Sequence, residues 1–146
     1  MSKNFKKSLS LAVLICILMV TFSSAKTYAN EITPRYNNVL SASLTTSVND
    51  NGTLIINYNY NGFPDITTKA VITTYVEKKT LLFFWTRVDI GQPNNEWIQT
   101  INDYEYSDDR IYSLPSTGTY RTTVIYKIYG SGGAADTITR QHETTY

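Results

Sequence analysis

Four acidic residues close together in the sequence, Asp103, Glu105, Asp108 and Asp109, form the densest group of side chains that could do chemistry. Calcium prefers several oxygen ligands in one place, and clustered carboxylates could supply them. A pair of carboxylates could also serve as acid and base in glycoside hydrolysis. The spacing matches no known cation-binding loop, so the favoured interpretation is a solvated loop followed by the polar face of a strand.

Other catalytic chemistries lack the residues they need. His142 is the single histidine and lies close to the last residue, Tyr146, where a chain end gives poor support to a Ser-His-Asp triad. Cys16 is the only cysteine and lies in a segment that we expect to be removed. Thiol chemistry and a Cys/His zinc site are therefore excluded from the exported chain. We predict a non-enzymatic protein with no catalytic residue, no metal site and no cofactor.

Residues 114–118 (LPSTG) match the LPxTG signal at which sortases attach exported proteins to cell walls. A sorting signal precedes an apolar span and a basic tail. Here residues 119–146, which follow the match, carry scattered charges instead. Because Pro presets φ and Gly supplies flexibility, a turn is the favoured interpretation.

An aromatic and basic sheet face is the first candidate binding surface. Alternation along three predicted strands puts Trp85 and Arg87 on the same face as Tyr75, Ile125 and Tyr129. Sugars could stack on the aromatic rings, or another protein could pack there. The favoured alternative is that these cross-strand pairs only stabilise the sheet. The partner expected for such a face is an unidentified protein or glycan.

A short apolar run is the second candidate. It falls where a hairpin should turn, shortly after Lys78 and Lys79. Turns are usually polar, so an exposed apolar run would suit insertion into a membrane interface or docking into a partner. Short apolar runs are more often buried strand, which favours a displaced turn with Leu82 and Phe84 in the core. The run consists of Leu81, Leu82, Phe83 and Phe84.

The sequence of residues 1–29 predicts a secretory signal peptide. Lys3, Lys6 and Lys7 form a basic start, residues 11–20 are apolar, and Ala29 ends a small-residue cleavage motif. The apolar run is shorter than the roughly 20 residues that a membrane span needs. We expect cleavage after Ala29, a polar leader arm over residues 30–38 and a secreted, extracellular domain over residues 39–146.

The exported chain would carry nine basic and twelve acidic residues, a net charge of −3. This balance argues against nucleic acid as a partner and against strong electrostatic capture by an anionic membrane. Without cysteine the domain has no disulfide, so its stability must come from packing. The oligomeric state is left open, and so is strand exchange at the glycine-rich residues 130–133.

The periodicity of the exported part predicts an all-β fold, an antiparallel two-sheet sandwich of seven or eight strands. Residues 53–61, 66–79 and 120–129 alternate most clearly between apolar and polar positions. Residues 49–52 (NDNG) predict the first hairpin turn. Named A to G with an additional C′, the strands would form one sheet of A, B, E and D and another of C′, C, F and G.

The layout resembles immunoglobulin-like sandwiches that lack the inter-sheet disulfide. Tyr120 lies where these domains place a tyrosine corner, and Thr122 stands at the strand F cysteine position. Trp85 falls on C′ rather than C, so the resemblance implies no core tryptophan. More narrowly, the chain resembles small secreted proteins of unknown function from Gram-positive bacteria. That likeness covers the whole exported chain and rests on the signal peptide and on residues 31–36 (EITPRY), 85–88 (WTRV) and 116–121 (STGTYR), and it implies no activity.

These observations predict an extracellular interaction module that acts through the aromatic face or through residues 81–84. The alternative is a secreted membrane-active or antimicrobial factor led by the apolar run. Membrane contact is the less favoured of the two, and a carboxylate-based hydrolase ranks last.

Overall fold

The computed structural model describes residues 36–81 and 83–146. The expected signal peptide, its cleavage site at Ala29, most of the leader arm and Leu82 lie outside these residues. Within them the chain forms eight strands, with a short 3₁₀ turn, Pro93–Asn95, between the fourth and fifth. The strands are β1 (Val39–Val48), β2 (Thr53–Gly62), β3 (Thr67–Thr80), β4 (Phe84–Arg87), β5 (Trp97–Ile101), β6 (Glu105–Ser113), β7 (Thr119–Gly130) and β8 (Asp136–Thr145).

The strands form two antiparallel sheets, which confirms the predicted sandwich. Sheet I has the order β1-β2-β6, and sheet II has the order β4-β3-β7-β8 with β5 also paired to β3. The prediction that the fifth strand, D, would join sheet I is wrong. β4 pairs with residues 77–80 of β3 and β5 with residues 70–74, so both lie along one edge of the same strand. The loop between β4 and β5 leaves that edge and returns to it. At its start, the Val88 N–H donates a hydrogen bond to the Val76 carbonyl at 2.9 Å.

The alternation of β2, β3 and β7 defines the core between the sheets. Every second residue along most of these strands is almost fully buried, as the sequence predicted. β-Branched and aromatic side chains pack well on such a pleated surface, which explains their abundance here. The buried apolar residues are Val39, Ala42, Leu54, Ile56, Tyr58, Tyr60, Ala70, Ile72, Val76, Val88, Leu114, Tyr120, Val124, Tyr126, Ile128 and Ile138.

Hydrogen bonds from buried tyrosines connect the two sheets in the absence of a disulfide. The Tyr126 hydroxyl of sheet II donates to the Ser43 carbonyl of β1 at 2.5 Å. The Tyr58 hydroxyl of sheet I reaches the Gln99 side chain of β5 at 3.0 Å. Each ring fills the core while its hydroxyl finds a partner at the margin, so the polar group is not left unpaired.

A β-bulge near the start of β1 changes which side chains face the core. Alternation in residues 39–49 predicts that Leu40 lies on the same side of the strand as Ala42, Leu44 and Val48. In the structure Leu40 is 55% exposed and Val39 is 2% exposed. Val39 pairs with Gly62 and Ser41 with Asn61, so β1 advances two residues while β2 advances one. The additional residue shifts the phase of the strand, and Leu40 therefore faces solvent.

The last residues of the predicted leader arm pack against the β7–β8 turn. The Asp136 carboxylate accepts the backbone N–H of Asn37 at 2.9 Å and that of Asn38 at 2.6 Å. The buried Asn38 side chain donates to the Ala134 carbonyl and accepts the Gly132 N–H. These bonds fix the glycine-rich turn against the start of the domain.

Residues 114–118 form the turn that the sequence favoured over a sorting signal. Leu114 is 8% exposed, and its N–H donates to the Gly52 carbonyl at 2.9 Å. Gly118 exchanges two backbone hydrogen bonds with Tyr146, at 3.0 and 2.9 Å. The turn is thus joined both to the β1–β2 hairpin and to the last residue of the chain.

Candidate functional site

The outer face of sheet II brings three of the predicted site residues together. Trp85 lies opposite Lys79, and Arg87 lies opposite Glu77, in the β3–β4 hairpin. Tyr75 precedes Glu77 on the same face of β3, so its ring is within reach of the Arg87 side chain. Trp85, Arg87 and Tyr75 therefore form one cluster on the hairpin.

The other two predicted residues lie further along the sheet. Ile125 is opposite Thr73, one step beyond Tyr75 on the outer face. Tyr129 is opposite Lys69, six positions from Tyr75 along β3 and therefore about 20 Å away. Tyr129 has its own cations, Lys69 at 4.5 Å and Lys127 at 5.6 Å from the ring centre.

Arg87 stacks on Tyr75. Its guanidinium carbon lies 3.4 Å from the centre of the tyrosine ring, which is close cation–π contact. The same guanidinium forms an ion pair with Glu96 at 2.8 Å and donates to the Asn94 carbonyl at 3.3 Å. Arg87 is therefore held by three partners and joins the hairpin to the loop before β5.

Arg121 of β7, which the sequence did not single out, covers Trp85. Its guanidinium carbon lies 4.3 Å from the ring centre. Its Nε and Nη2 both donate to one carboxylate oxygen of Glu77, at 3.0 and 2.7 Å. Alternation alone places Arg121 on this face, but the pairing with Glu77 needs the β3–β7 register.

A guanidinium therefore covers one face of Tyr75 and one face of Trp85, the two rings that could stack against a sugar. Arg87 occupies a face of Tyr75, and Arg121 occupies a face of Trp85. Both arginine side chains are half-buried. This geometry braces the hairpin, and a sugar ring that stacked on these same faces of Tyr75 and Trp85 would have to displace a guanidinium.

The hairpin beyond this cluster ends in exposed apolar side chains. Leu81 is 84% exposed, Phe83 82% and Phe84 66%. The interpretation that Phe84 belongs to the core is wrong, because β7 accompanies β3 only as far as Lys78. Past that point the hairpin projects as two strands without a third beside it. We call Leu81, Phe83 and Phe84 the hairpin tip.

The tip turns through a conformation that its sequence does not favour. Thr80 and Phe84 form the last pair of the hairpin, and Leu81 follows Thr80 with a φ of 57°. This left-handed region suits glycine or asparagine far better than a bulky residue. A leucine that is exposed and strained stabilises neither the turn nor the core.

The four acidic residues do not all converge on one site, although Asp103 and Glu105 line the same pocket beside β2. Asp108 points toward the other sheet and accepts hydrogen bonds from Tyr106 at 2.9 Å and from Tyr58 at 3.1 Å. Glu105 and Asp109 alternate to the outer face of sheet I. No group of three or more potential metal ligands occurs in the described parts of the chain.

His142 is likewise not part of a triad-like arrangement. It lies in β8, opposite Thr122, and its Nδ1 is 2.6 Å from the Thr46 hydroxyl of β1. Both groups are exposed, and the contact joins the neighbouring edges of the two sheets.

Comparison with protein-family models and with curated proteins finds no match to this chain. Among residues 36–81 and 83–146, no helix has the length and apolar character needed to cross a membrane.

Proposed function

We propose that the protein is a secreted, non-enzymatic interaction domain with an Ig-like sandwich that docks through the tip of its β3–β4 hairpin. The observation that carries this proposal is the exposure of Leu81 (84%), Phe83 (82%) and Phe84 (66%) at one projecting end. Adjacent exposed apolar side chains on a folded domain mark an interaction site. Export is supported by the basic and apolar pattern of residues 1–29.

The aromatic and basic cluster supports the tip in this proposal. Arg121 and Glu77 join the hairpin to β7, while Arg87 and Glu96 join it to the loop before β5. A rigid hairpin loses less conformational entropy when it binds. Trp85, Arg87 and Tyr75 then position the tip, and the partner contacts them only at their edges.

The non-enzymatic proposal is supported by the separation of Asp108 from His142, because each of these two side chains has other partners. Asp108 is occupied by two tyrosine hydroxyls, and His142 contacts a threonine at an exposed edge. Acid–base catalysis needs such groups within hydrogen-bond reach of one reacting atom.

The test is capture of a ligand from the surface and medium of the producing cells by residues 30–146. Phe83→Ser with Phe84→Ser should abolish capture. Ile111→Ser is the matched control, because Ile111 is 65% exposed on the outer face of sheet I. Retention of the same ligand by the tip variant would refute docking through the hairpin.

A variant of the supporting cluster separates bracing from direct recognition. Trp85→Ser with Tyr75→Ser should weaken capture without abolishing it, because the tip residues remain. If this variant captures no ligand while the tip variant captures it normally, the binding site lies on the outer face of sheet II.

A further inference from the structure

We propose that the surface bound by the hairpin tip is an anionic phospholipid bilayer, with Phe83 and Phe84 inserted at the interface and Lys79 against lipid phosphates. This inference rests on the proposed docking role of the tip and names its partner. It reverses the preference drawn from the sequence, because that preference rested on a core position for Phe84 and on the net negative charge of the exported chain.

Charge is segregated toward the hairpin. The charged residues of segment 78–87 are Lys78, Lys79 and Arg87, and no acidic residue lies among them. Because Arg87 forms an ion pair with Glu96, the attraction to an anionic surface comes from Lys78 and Lys79. The exported chain as a whole is nevertheless acidic. An anionic surface therefore attracts the hairpin and repels the rest of the domain, which orients the tip toward the lipid.

The order of side chains along the hairpin matches the layers of a membrane interface. Exposed Leu81, Phe83 and Phe84 form the apex. Trp85 and Lys79 face each other in the next pair, with the ammonium 5.6 Å from the indole centre. Indoles and lysines favour the headgroup level, where the ring is half in apolar surroundings and the charge meets phosphate.

The depth of insertion follows from the geometry of the strands. A strand rises about 3.3 Å per residue, so the apex extends about 5–8 Å beyond Trp85. That distance corresponds to shallow binding at the boundary between headgroups and acyl chains. Beyond the Lys78–Thr86 pair, Glu77 lies opposite Arg87, and its carboxylate is paired with Arg121 at 2.7 Å, so it presents no unpaired negative charge to the lipid.

Cosedimentation with vesicles tests the proposal. Residues 30–146 contain all eight described strands and the core, and they lack the apolar leader that would itself bind lipid. We expect binding to phosphatidylcholine vesicles that contain phosphatidylglycerol, and weaker binding to phosphatidylcholine alone. Phe83→Ser with Phe84→Ser should lower the partition coefficient by about tenfold or more. Lys79→Gln should lower it by about fivefold.

One control variant and one fluorescent variant test whether binding is specific to the hairpin tip. Ile111→Ser removes another exposed apolar side chain, 65% accessible, from a different surface and should leave the partition coefficient unchanged. Phe83→Trp adds a third tryptophan, at the apex, so brominated lipids should quench the fluorescence of this variant more than that of the unaltered protein, which has only Trp85 and Trp97. All variants change exposed residues, and equal thermal midpoints would show that they remain folded.

Lipid is not the partner of the tip if the unaltered protein does not bind anionic vesicles, or if the tip variant binds them equally well. Failure of this inference is distinguishable from failure of the proposed function. If vesicles are ignored but cell-surface capture still needs Phe83 and Phe84, the tip docks on a macromolecule instead. If capture survives loss of both phenylalanines, docking through the hairpin is itself refuted.

Discussion

The hydroxyl of Tyr120 donates a 2.5 Å hydrogen bond to the carbonyl oxygen of Ser116. Tyr120 lies at the start of β7 and is fully buried, whereas Ser116 lies in the exposed turn four residues earlier. The bond fixes the entry of the chain into its most buried strand. This is the tyrosine corner that the sequence predicted, and the structure confirms it.

Replacing Tyr120 by Phe should lower the free energy of unfolding by about 1–2 kcal/mol, because the Ser116 carbonyl loses its partner while the ring stays packed. Tyr112→Phe is the control. It removes a comparable bond, to the Asp89 carbonyl at 2.8 Å, but at an exposed position where water can substitute. Urea unfolding of both variants measures the difference. Equal losses would show that the corner has no special role.

The stability of the domain should fall in acid through Asp108. Burial of Asp108 opposes ionisation, but hydrogen bonds from Tyr106, Tyr58 and the backbone N–H of Asp109 outweigh it and lower its pKa. A lowered folded-state pKa means that the stabilisation is complete above about pH 4 and is lost as the pH falls through the lower folded value.

Asp108→Asn should therefore flatten the pH dependence of the unfolding midpoint in this acidic range. Asp109→Asn is the matched control, because Asp109 alternates to the outer face of sheet I. If Asp108→Asn unfolds in acid as readily as the unaltered protein, Asp108 is not the source of the acid sensitivity.

Alkaline pH should destabilise the domain through its buried tyrosines. Burial raises the pKa of Tyr58 and of Tyr60 to about 12. Because the folded pKa is raised, the stabilisation is complete below about pH 10 and is lost as the pH rises toward 12. Tyrosinate absorbance should show these residues titrating late in the folded protein. Tyr60→Phe should reduce the loss, and an unchanged profile would contradict the assignment.

The most regular strands could be predicted from the sequence. β2, β3 and β7 each have two or three neighbouring strands and one fully covered face, so burial follows the two-residue period along most of their length. The same alternation placed Trp85, Arg87 and Tyr75 on one face. Local periodicity sufficed for these features because both depend only on which side of a strand a residue occupies.

The features that could not be predicted from the sequence depend on strand register and on where the neighbouring strands end. Leu40 was placed on the wrong side, because a bulge leaves no mark in an alternating pattern. Phe84 was predicted to lie in the core. It is exposed because the β3–β7 pairing ends at Lys78, and the sequence of β4 does not show where that pairing ends. The contact of Arg121 with Trp85 likewise needs three strands, β4, β3 and β7, in register, and no single-strand pattern contains that information.

Leu81 is the position where stability and docking should oppose each other. Its φ of 57° lies in the left-handed region, which glycine adopts at no steric cost and asparagine adopts more readily than leucine. We expect Leu81→Gly and Leu81→Asn to raise the free energy of unfolding by about 0.5–1 kcal/mol. Both should weaken binding of the hairpin to its ligand, because the substitution removes an apolar side chain that is 84% exposed.

Asn94→Gly provides the comparison for this prediction. Asn94 has a similar φ of 56° outside the hairpin tip, so its replacement should leave ligand binding unchanged. Urea unfolding and cell-surface capture, measured on the same preparations, give the two quantities. If Leu81→Gly lowers stability and binds normally, the leucine serves the fold of the hairpin. If it gains stability and loses binding, the strain at Leu81 is retained for docking.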